Sequence, residues 1–499
     1  MSPDTKPAPT FPKTMRLFLI FSFLTLQFTL YTLQLSAQRV PNILFIVVDD
    51  QGFADVGIDG RSWDVNTPGM DRLAESGVRF SQSYASSPIC SASRCGLITG
   101  VYQERQGNYW FGGPGLPNKE IPTLAEKLKE AGYKTAYIGK HHYGQGDSDI
   151  EHRNFPLNHG FDYFFGFSSS RKHYLIHNEA KEKAFLKIRD KYQPEGRSLY
   201  QGAMWENTEK VDVKGFSTEI IGERARTYMA ENKDQPFYLH LSFNAVHNFT
   251  HQLPKSYLKE KGLKGYYDYN PAVHDYISYY IGGRKPHNPE GRQLYLGQLH
   301  FLDLEISRIL DFLQEEGLRE NTLIAYISDN GGSTPIYANN DPLRGSKYTL
   351  YEGGIRVPMI LSWPGGGFQA GIVSDTVVSG LDLFPTICAS AGVQYGAVDG
   401  IDLLPLLTGE NNSLGHEVLV WDINYETAVR KGTWKLKTAN DIRHANRQQL
   451  DVRVGEYLYD LEADPGENRD VRYFFPEKFE ELKAIHAAWR KEMEASEGT

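Results

Sequence analysis

Residues 41–52, PNILFIVVDDQG, place an apolar run directly before two carboxylates and a glycine. The run at 42–48 is continuous and rich in Ile and Val, which is typical of a strand buried on both faces of a parallel sheet. Adjacent side chains in a strand point to opposite faces, so Asp49 and Asp50 can face one ligand only if the strand ends before them. Gly52 permits a turn there, and α/β sheets bind ligands at the carboxyl ends of their strands. The stretch therefore predicts an α/β fold with a ligand site at the end of this strand.

Apolar runs alternate with amphipathic stretches along most of the chain that follows. Further predicted strands lie at 135–138, 237–243, 322–327 and 357–362. Helices are predicted at 67–77, 123–132 and 293–317, from apolar residues at helical spacing or from capping residues and glycines at their ends. This alternation predicts an α/β domain built around a largely parallel sheet.

The pattern changes after about residue 409, where short strands are predicted at 418–421, 434–437 and 456–459. A last amphipathic helix follows, with apolar side chains at Phe479, Leu482, Ile485 and Trp489. These features predict a smaller α+β subdomain with an antiparallel sheet. The predicted division is a large α/β domain at 38–408 and a C-terminal subdomain at 409–499.

Composition excludes several classes of protein. The 499 residues are 40% hydrophobic and 23% charged, which is typical of a globular chain. The chain has a net charge of -9 and so lacks the excess of basic residues that is typical of nucleic-acid-binding proteins. An anion would therefore bind only at a local basic site. The three cysteines, Cys90, Cys95 and Cys388, form no disulfide framework and no zinc-binding pattern. Any bound metal is therefore expected to have oxygen ligands.

The N-terminus predicts export. Basic residues precede an apolar run at 17–35, and the small residues that end in Ala37 are typical of a cleavage site. We expect residues 1–37 to be a signal peptide and the mature protein to be periplasmic or secreted, without stable membrane insertion. An uncleaved membrane anchor is the alternative, because the run is nearly long enough to span a bilayer. Translation from Met15 would leave a more ordinary signal than translation from Met1.

A second strand end repeats the arrangement of the first. The apolar run at 324–328 is followed by Asp329, Asn330 and two glycines. If the two strands are neighbours, Asp49, Asp50, Asp329 and Asn330 bring three carboxylates and one amide oxygen together. Such hard oxygen ligands suit calcium or magnesium. Either pair taken alone is more typical of a turn at a strand end than of a metal site.

Residues 90–100, CSASRCGLITG, contain a motif with a reactive side chain at its start. A helix that begins just after Cys90 would direct its free N–H groups toward an anion. The alternative for an isolated cysteine is a small buried apolar residue.

This string resembles the signature of the type I sulfatases. In that family the cysteine is oxidised after synthesis to formylglycine, and the hydrate of its aldehyde is the nucleophile. By this resemblance Cys90 is the modified residue, and a formylglycine-generating enzyme is an expected partner. Ala92 occupies a position where proline is the commoner choice in the family.

Other segments resemble the same family, in the expected order, over most of residues 41–470. They lie at 41–52, 66–80, 139–144, 236–247, 343–358 and 458–467. The match carries over Arg94, Lys140, His142, His247 and Lys347 as site residues. His141 and Tyr143 replace the Trp and Leu that are usual in the family, which leaves the adjoining pocket wall undefined.

The resemblance implies an alkaline-phosphatase-like α/β/α sandwich with a central mixed, mostly parallel sheet. It also implies calcium, with magnesium second, held by Asp49, Asp50, Asp329, Asn330 and the residue derived from Cys90. Positive charge from Arg94, Lys140 and Lys347 would then surround the sulfate. His247 is expected to assist the leaving alkoxide, and His142 to accept the proton when sulfate is released.

The expected substrate is a sulfated polysaccharide or its oligosaccharides, such as ulvan, an algal galactan or a glycosaminoglycan. Export and an abundance of aromatic residues, including 30 tyrosines, suit a sugar-binding cleft. Candidate contacts are Trp110, Phe111, Arg171, Lys172, His173, His177, His251 and residues 266–269, although each is equally consistent with packing or a surface position. The alternatives are a phosphodiesterase or phosphonate monoester hydrolase of the same superfamily, and an inactive homologue that binds calcium or glycans.

Overall fold

The computed structural model describes residues 40–168, 173–176, 187–192, 204–264, 275–442, 445 and 450–496. From Pro41 onward these residues belong to one compact unit. The predicted signal peptide at 1–37 lies outside the described residues, as do Arg171, Lys172, His177 and residues 266–269. In the part of the chain that is described, no helix has the length and apolar character needed to cross a bilayer.

The described part of the chain contains strands and helices in alternation. The strands are β1 (Asn42–Val48), β2 (Val78–Tyr84), β3 (Lys134–Lys140), β4 (Tyr163–Phe167), β5 (Leu175–Ile176), β6 (Met204–Glu206), β7 (Glu209–Val211), β8 (Gly215–Phe216), β9 (Phe237–Ser242), β10 (Thr322–Ser328), β11 (Met359–Ser362), β12 (Ile372–Ser379), β13 (Val418–Asp422), β14 (Glu426–Lys431), β15 (Trp434–Ala439) and β16 (Gly455–Asp460). The helices are α1 (Pro68–Glu75), α2 (Cys90–Thr99), α3 (Leu124–Glu130), α4 (Ser217–Asn232), α5 (Lys255–Lys261), α6 (Tyr276–Ile281), α7 (Gly291–Glu315), α8 (Glu352–Ile355), α9 (Leu383–Ser390), α10 (Leu404–Leu407) and α11 (Pro476–Ser496).

A ten-stranded sheet forms the centre, in the order β12-β2-β11-β10-β1-β9-β3-β4-β6-β7. Strand β1 lies between β10 and β9 and runs parallel to both. Strand β3 likewise runs parallel to β9 and β4, whereas β11 runs antiparallel to β10 and β2. The sheet is therefore mixed and mostly parallel, as predicted.

Helices cover both faces of this sheet, and the side chains of β1 show why. Leu44 and Ile46 point into a core shared with α1, α4 and α7. Ile43 and Phe45 point into a second core, shared with α2, α3 and α9. A strand buried on both sides needs an uninterrupted apolar sequence, which β1 has. The predicted α/β/α sandwich is confirmed.

The predicted helices form close to their expected positions. Helix α3 begins after Thr123, whose side chain accepts from the backbone N–H of Glu126 at 3.1 Å, and Glu126 accepts from the N–H of Thr123 at 2.8 Å. This reciprocal pair is the capping box that the sequence contains. The predicted strand at 357–362 is shorter than expected, because β11 begins only at Met359.

A separate four-stranded antiparallel sheet, β13-β14-β15-β16, occupies the C-terminal part of the chain. Val420, Leu436 and Leu458 from its strands pack against Leu482 of α11 in one apolar cluster. The small antiparallel sheet is confirmed, while the domain boundary at residue 409 stays a prediction.

Candidate active site

Two parallel strands bring the paired carboxylates together. In the register of β1 and β10, Val48 lies beside Ser328, so Asp49 and Asp329 emerge next to one another. The backbone N–H of Asp329 donates to Val48 O at 2.9 Å, and the N–H of Asp50 donates to Asp329 Oδ1 at 3.3 Å. Strand β1 ends at Val48, and Asp50 adopts a left-handed φ of 64°. This turn allows the carboxylates of Asp49 and Asp50 to lie near one point. The sequence predicts such an arrangement if the strand ends before them.

Cys90 is the first residue of α2, and its side chain faces these carboxylates. Its Sγ lies 3.6 Å from Asp49 Oδ1 and 3.9 Å from Asp50 Oδ1. All of α2 is buried, so the thiol has no contact with bulk solvent. Burial raises the pKa of the Cys90 thiol, and the opposing charges of Lys140 and Lys347 do not restore it. The unmodified side chain is therefore a neutral thiol at pH 7.

Each carboxylate is paired with a buried cation from a different segment. Lys140, the last residue of β3, places Nζ 2.5 Å from Asp49 Oδ2. Lys347 Nζ lies 2.7 Å from Asp50 Oδ1 and 2.8 Å from Cys90 Sγ.

Arg94, on α2, forms the third pair. Its Nε donates to Asp329 Oδ2 at 2.9 Å. Buried charges are tolerated when they are paired and hydrogen-bonded, so three cations and three carboxylates form a compensated group.

Burial by itself lowers the pKa of Lys347, but the carboxylate of Asp50 and the other nearby acidic groups more than offset this effect. The pKa of Lys347 is therefore raised, and its side chain remains an ammonium group. Burial raises the pKa of Asp329, with the charge of Asp49 adding to the effect and that of Arg94 opposing it.

The two predicted site histidines both lie at this end of the sheet. His247 follows β9 and places Nε2 3.6 Å from Asp50 Oδ2. His142 follows β3 with a φ of 46°, and burial together with the charge of Lys140 lowers its pKa well below the usual value. His142 is therefore neutral at pH 7.

His141 is directed elsewhere, into the core. Its Nε2 lies 2.7 Å from Asp147 O, and its ring packs at 5.2 Å from that of Phe164. Burial lowers the pKa of His141 to about 3. Tyr143 is also buried in the second core. The two residues that depart from the family pattern thus fill the interior beside the site.

Residues that could hold a divalent cation lie close together at this strand end. Asp49, Asp50, Cys90 and His247 each offer a ligand atom, and these atoms lie within 4.8 Å of one another. Asn330 donates from Nδ2 to Asp50 Oδ1 at 2.7 Å, while its Oδ1 is buried without a hydrogen-bond partner among the described residues. A buried amide oxygen beside carboxylates is an oxygen-rich environment that suits calcium or magnesium.

Sequence reasoning missed Ser242, which links the Arg94 guanidinium to the backbone carbonyl of Lys140. Its Oγ accepts from Arg94 at 2.6 Å and donates to Lys140 O at 2.6 Å. Ser242 is the last residue of β9, between β1 and β3. The available signal was its position at the end of an apolar strand, because the Asp pairs also lie at strand ends.

A family model for sulfatases matches residues 41–393, and a model for the C-terminal part of N-sulphoglucosamine sulphohydrolase matches residues 346–496. The chain belongs to the sulfatase family. Bovine (Bos taurus) arylsulfatase A is 30% identical to this sulfatase over 88% of the chain and 84% of the relative. N-acetylgalactosamine-6-sulfatase from Mus musculus is 29% identical over 80% of the chain and 72% of the relative.

Among solved structures, Ps i-CgsB in complex with k-i-k-neocarrahexaose matches with a TM-score of 0.74 and 27% identity, over 91% of this chain and 93% of that one. The PsFucS1 sulfatase from Pseudoalteromonas sp. matches with a TM-score of 0.70 and 25% identity, over 94% and 93% of the two chains. The sulfatase therefore has an alkaline-phosphatase-like fold and is a sulfuric ester hydrolase.

Proposed function

We propose that this protein is an exported sulfatase that removes sulfate esters from a sulfated polysaccharide or its oligosaccharides, using a formylglycine derived from Cys90 and a bound calcium ion. One observation carries the proposal. The Cys90 side chain begins a buried helix and lies 2.8 Å from the Lys347 ammonium and 3.6 Å from the Asp49 carboxylate. The proposed nucleophile, the positive charge for an anion and the proposed metal ligands would thus share one site.

Conversion of Cys90 to formylglycine would resolve a chemical difficulty. A buried thiol with a raised pKa is a poor nucleophile. The hydrate of formylglycine carries two hydroxyl groups on one carbon. One hydroxyl would attack the sulfur and displace the alcohol, which takes up a proton as it leaves. Loss of the proton from the other hydroxyl would then break the carbon–oxygen bond to sulfate as the aldehyde forms again. A formylglycine-generating enzyme must supply the modification.

Positive charge around the sulfate is the proposed role of Arg94, Lys140 and Lys347. All three side chains are buried, where fixed charges act more strongly than they do in water. They would stabilise the sulfuryl oxygens as negative charge moves toward the leaving group. Three carboxylates balance these three cations, so a bound divalent cation would give the cluster the net positive charge that anion binding by a chain of net charge -9 requires.

The two histidines are proposed to move protons. Burial and the charge of Lys140 keep His142 neutral, and the unprotonated nitrogen of the neutral ring would accept a proton from the second hydroxyl. His247, close to Asp50, would protonate or stabilise the departing alkoxide with Lys347 nearby. A sugar alkoxide is a poor leaving group, so acid assistance matters more for it than for a phenol.

Asp49, Asp50, Asp329 and Asn330 are the proposed calcium ligands, together with the residue derived from Cys90. The buried, unbonded Oδ1 of Asn330 supports this assignment. Calcium accepts more oxygen ligands than magnesium, with less rigid geometry, which favours calcium here. When bound, the ion supplies Lewis-acid polarisation and orients the sulfate beside the nucleophile.

A carbohydrate substrate is supported by the relatives. Ps i-CgsB was solved with k-i-k-neocarrahexaose, and another relative is named for N-acetylgalactosamine 6-sulfate. Ulvan, an algal galactan and a glycosaminoglycan are the proposed substrate classes. The signal-peptide pattern at 1–37 supports export to the periplasm or medium.

The decisive experiment measures free sulfate released from a panel of sulfated oligosaccharides by matured, calcium-loaded protein. Cys90→Ala should abolish release. Cys95→Ala is a matched control, because Cys95 is also buried in α2 but directs Sγ to Tyr143 O at 3.5 Å. Mass spectrometry of the wild type should show formylglycine at position 90. Phosphate release from phosphate esters, without sulfate release by protein that carries formylglycine, would contradict the proposal.

A further inference from the structure

Four aromatic rings form a continuous group beside the catalytic residues. The Phe111 ring lies 6.4 Å from the His142 ring at an interplanar angle of 29°. It also lies 5.9 Å from the Tyr348 ring. The Tyr348 ring is 5.4 Å from Lys347 Nζ, which in turn is 2.8 Å from Cys90 Sγ. The Lys347 ammonium group therefore lies between this aromatic group and the Cys90 side chain.

The four rings come from three segments that are distant in sequence. The rings of Trp110 and Tyr425 support those of Phe111 and Tyr348. Trp110 lies 4.8 Å from Tyr425, 5.3 Å from Phe111 and 6.2 Å from Tyr348, measured between ring centroids. Trp110 and Tyr425 pack against a core cluster that includes Trp421. Phe111, by contrast, is 38% exposed. The arrangement is a supported apolar surface with an accessible ring at its edge.

The backbone around Tyr348 fixes this surface relative to the nucleophile. Tyr348 has a φ of 77°, a left-handed conformation that is unfavourable for a bulky residue and that requires support from its surroundings. Its N–H donates to Pro88 O at 3.1 Å, two residues before Cys90. The strained segment is thus hydrogen-bonded to the chain that enters α2. Strain of this kind clusters at functional sites, where the geometry of the side chain matters.

We propose that Phe111 and Tyr348 form a stacking platform for the sugar ring that carries the sulfate ester, with Trp110 and Tyr425 as its support. This inference rests on the proposed carbohydrate substrate. A sugar ring presents C–H groups on its faces, which pack favourably on an aromatic face. The platform carries no charge, so it recognises the sugar and leaves the sulfate to the buried cations. It determines specificity for ring-shaped alcohols over other sulfate esters.

Steady-state kinetics of the matured, calcium-loaded enzyme test the platform. Phe111→Leu keeps an apolar side chain but removes the ring, so KM for the sulfated oligosaccharide should rise about tenfold while kcat stays close to the wild-type value. Phe111→Tyr keeps the ring and should retain the wild-type KM. Phe475→Leu is the matched control, because Phe475 is also 38% exposed but packs on Trp434 of the small sheet at 4.7 Å.

Inhibition by inorganic sulfate distinguishes a loss of sugar binding from damage to the charged sulfate-binding site. Sulfate alone occupies the charged site, so its inhibition constant should be the same for wild type and Phe111→Leu. An inhibition constant that rises in parallel with KM, or a KM unchanged in Phe111→Leu, would overturn the platform while leaving the carbohydrate sulfatase intact. Absence of sulfate release from every glycan by the wild type would instead refute the proposed function, and the platform with it.

Discussion

At the scale of single residues, the site is a set of buried ion pairs. Lys140 with Asp49, Lys347 with Asp50 and Arg94 with Asp329 are all nearly inaccessible to solvent. Removing one member of such a pair leaves an uncompensated charge, which costs about 3–5 kcal/mol of stability. Substitution of these charges therefore alters folding and chemistry together. Neutral residues at the same site give clearer tests.

Asn330→Ala tests the calcium site. Its buried Oδ1 is proposed to bind the ion, so the variant should lose most of the rise in Tm that calcium gives the wild type. A ligand at one hundred times its Kd adds about 2.7 kcal/mol to stability. Differential scanning calorimetry with calcium and with chelator measures the shift.

Asn340→Ala is the matched control for the calcium test. This buried amide bonds Phe53 N and Gly332 O, at 3.2 and 2.9 Å, so its loss should lower Tm but keep the calcium-dependent shift. An undiminished calcium shift in Asn330→Ala would contradict the assignment of Asn330 as a ligand.

His247→Ala tests the acid role. The variant should lose about 10²–10⁴-fold in kcat on a sugar sulfate, because the alkoxide then leaves without assistance. The loss on an activated aryl sulfate should be much smaller, since a phenolate leaves more readily. Parallel kinetics on the two esters measure the difference. Equal losses would assign His247 to binding or structure.

At the scale of elements, helix α1 is held at its N-terminus by a carboxylate from α7. Asp303 accepts from Gly69 N at 3.0 Å and from Met70 N at 2.8 Å, and it is only 4% exposed. Burial raises the pKa of Asp303 to about 6, although these two backbone donors oppose the shift. The contact joins two helices on one face of the sheet. It also places the Asp303 carboxylate where burial disfavours its charged form.

This contact predicts a pH dependence of stability. The pKa of Asp303 in the folded protein lies above its usual value of 3.8, so the folded state holds the proton more tightly. Stability from this group is greatest below about pH 4 and is lost as pH rises to about 6, by up to about 3 kcal/mol. Asp303→Asn removes the titration. The Tm of the wild type minus that of this variant should therefore fall between pH 4 and pH 7.

Asp311→Asn provides the control on the same helix, because Asp311 is 53% exposed where it pairs with Arg72. Its Tm should follow the wild type across the same pH range. Parallel Tm profiles for wild type and Asp303→Asn would show that the acid titrates in the folded state as it does in the unfolded chain.

At the scale of the whole molecule, the small antiparallel sheet fixes the segment that carries Lys347. Glu426, on β14, accepts from Leu350 N at 3.1 Å, and Glu467 accepts from Glu352 N at 2.6 Å. Lys435, on β15, bridges the carboxylates of Glu352 and Glu467 at 2.8 and 2.9 Å. The C-terminal family match accordingly begins at residue 346, inside this segment.

Glu467→Gln tests this link between the sheet and the site. The substitution leaves buried Lys435 with one acidic partner instead of two, so Tm should fall. The hydrogen bond to Glu352 should also weaken, which displaces the Lys347 segment and lowers kcat. Calorimetry and sulfate-release kinetics measure both effects. Glu462→Gln, an exposed position nearby, should change neither. An unchanged kcat in a destabilised Glu467→Gln would limit the contact to a structural role.

The local sequence was sufficient to predict much of the fold and the two strand ends that carry carboxylates. The apolar run of β1, the capping box of α3 and the carboxylates at two strand ends are contiguous patterns, and periodicity predicts such patterns directly. The family motif around Cys90 identified residues that the structure does bring together, although their catalytic roles stay predictions.

Tertiary structure alone decided which cation pairs with which carboxylate, because pairing depends on the strand order β10-β1-β9-β3 and on its register. It also decided that His141 enters the core and that Ser242 joins the site. The aromatic platform and the contacts of the small sheet with the Lys347 segment combine chain segments that are far apart in sequence. No local pattern encodes such contacts, since they form only when packing buries both partners together.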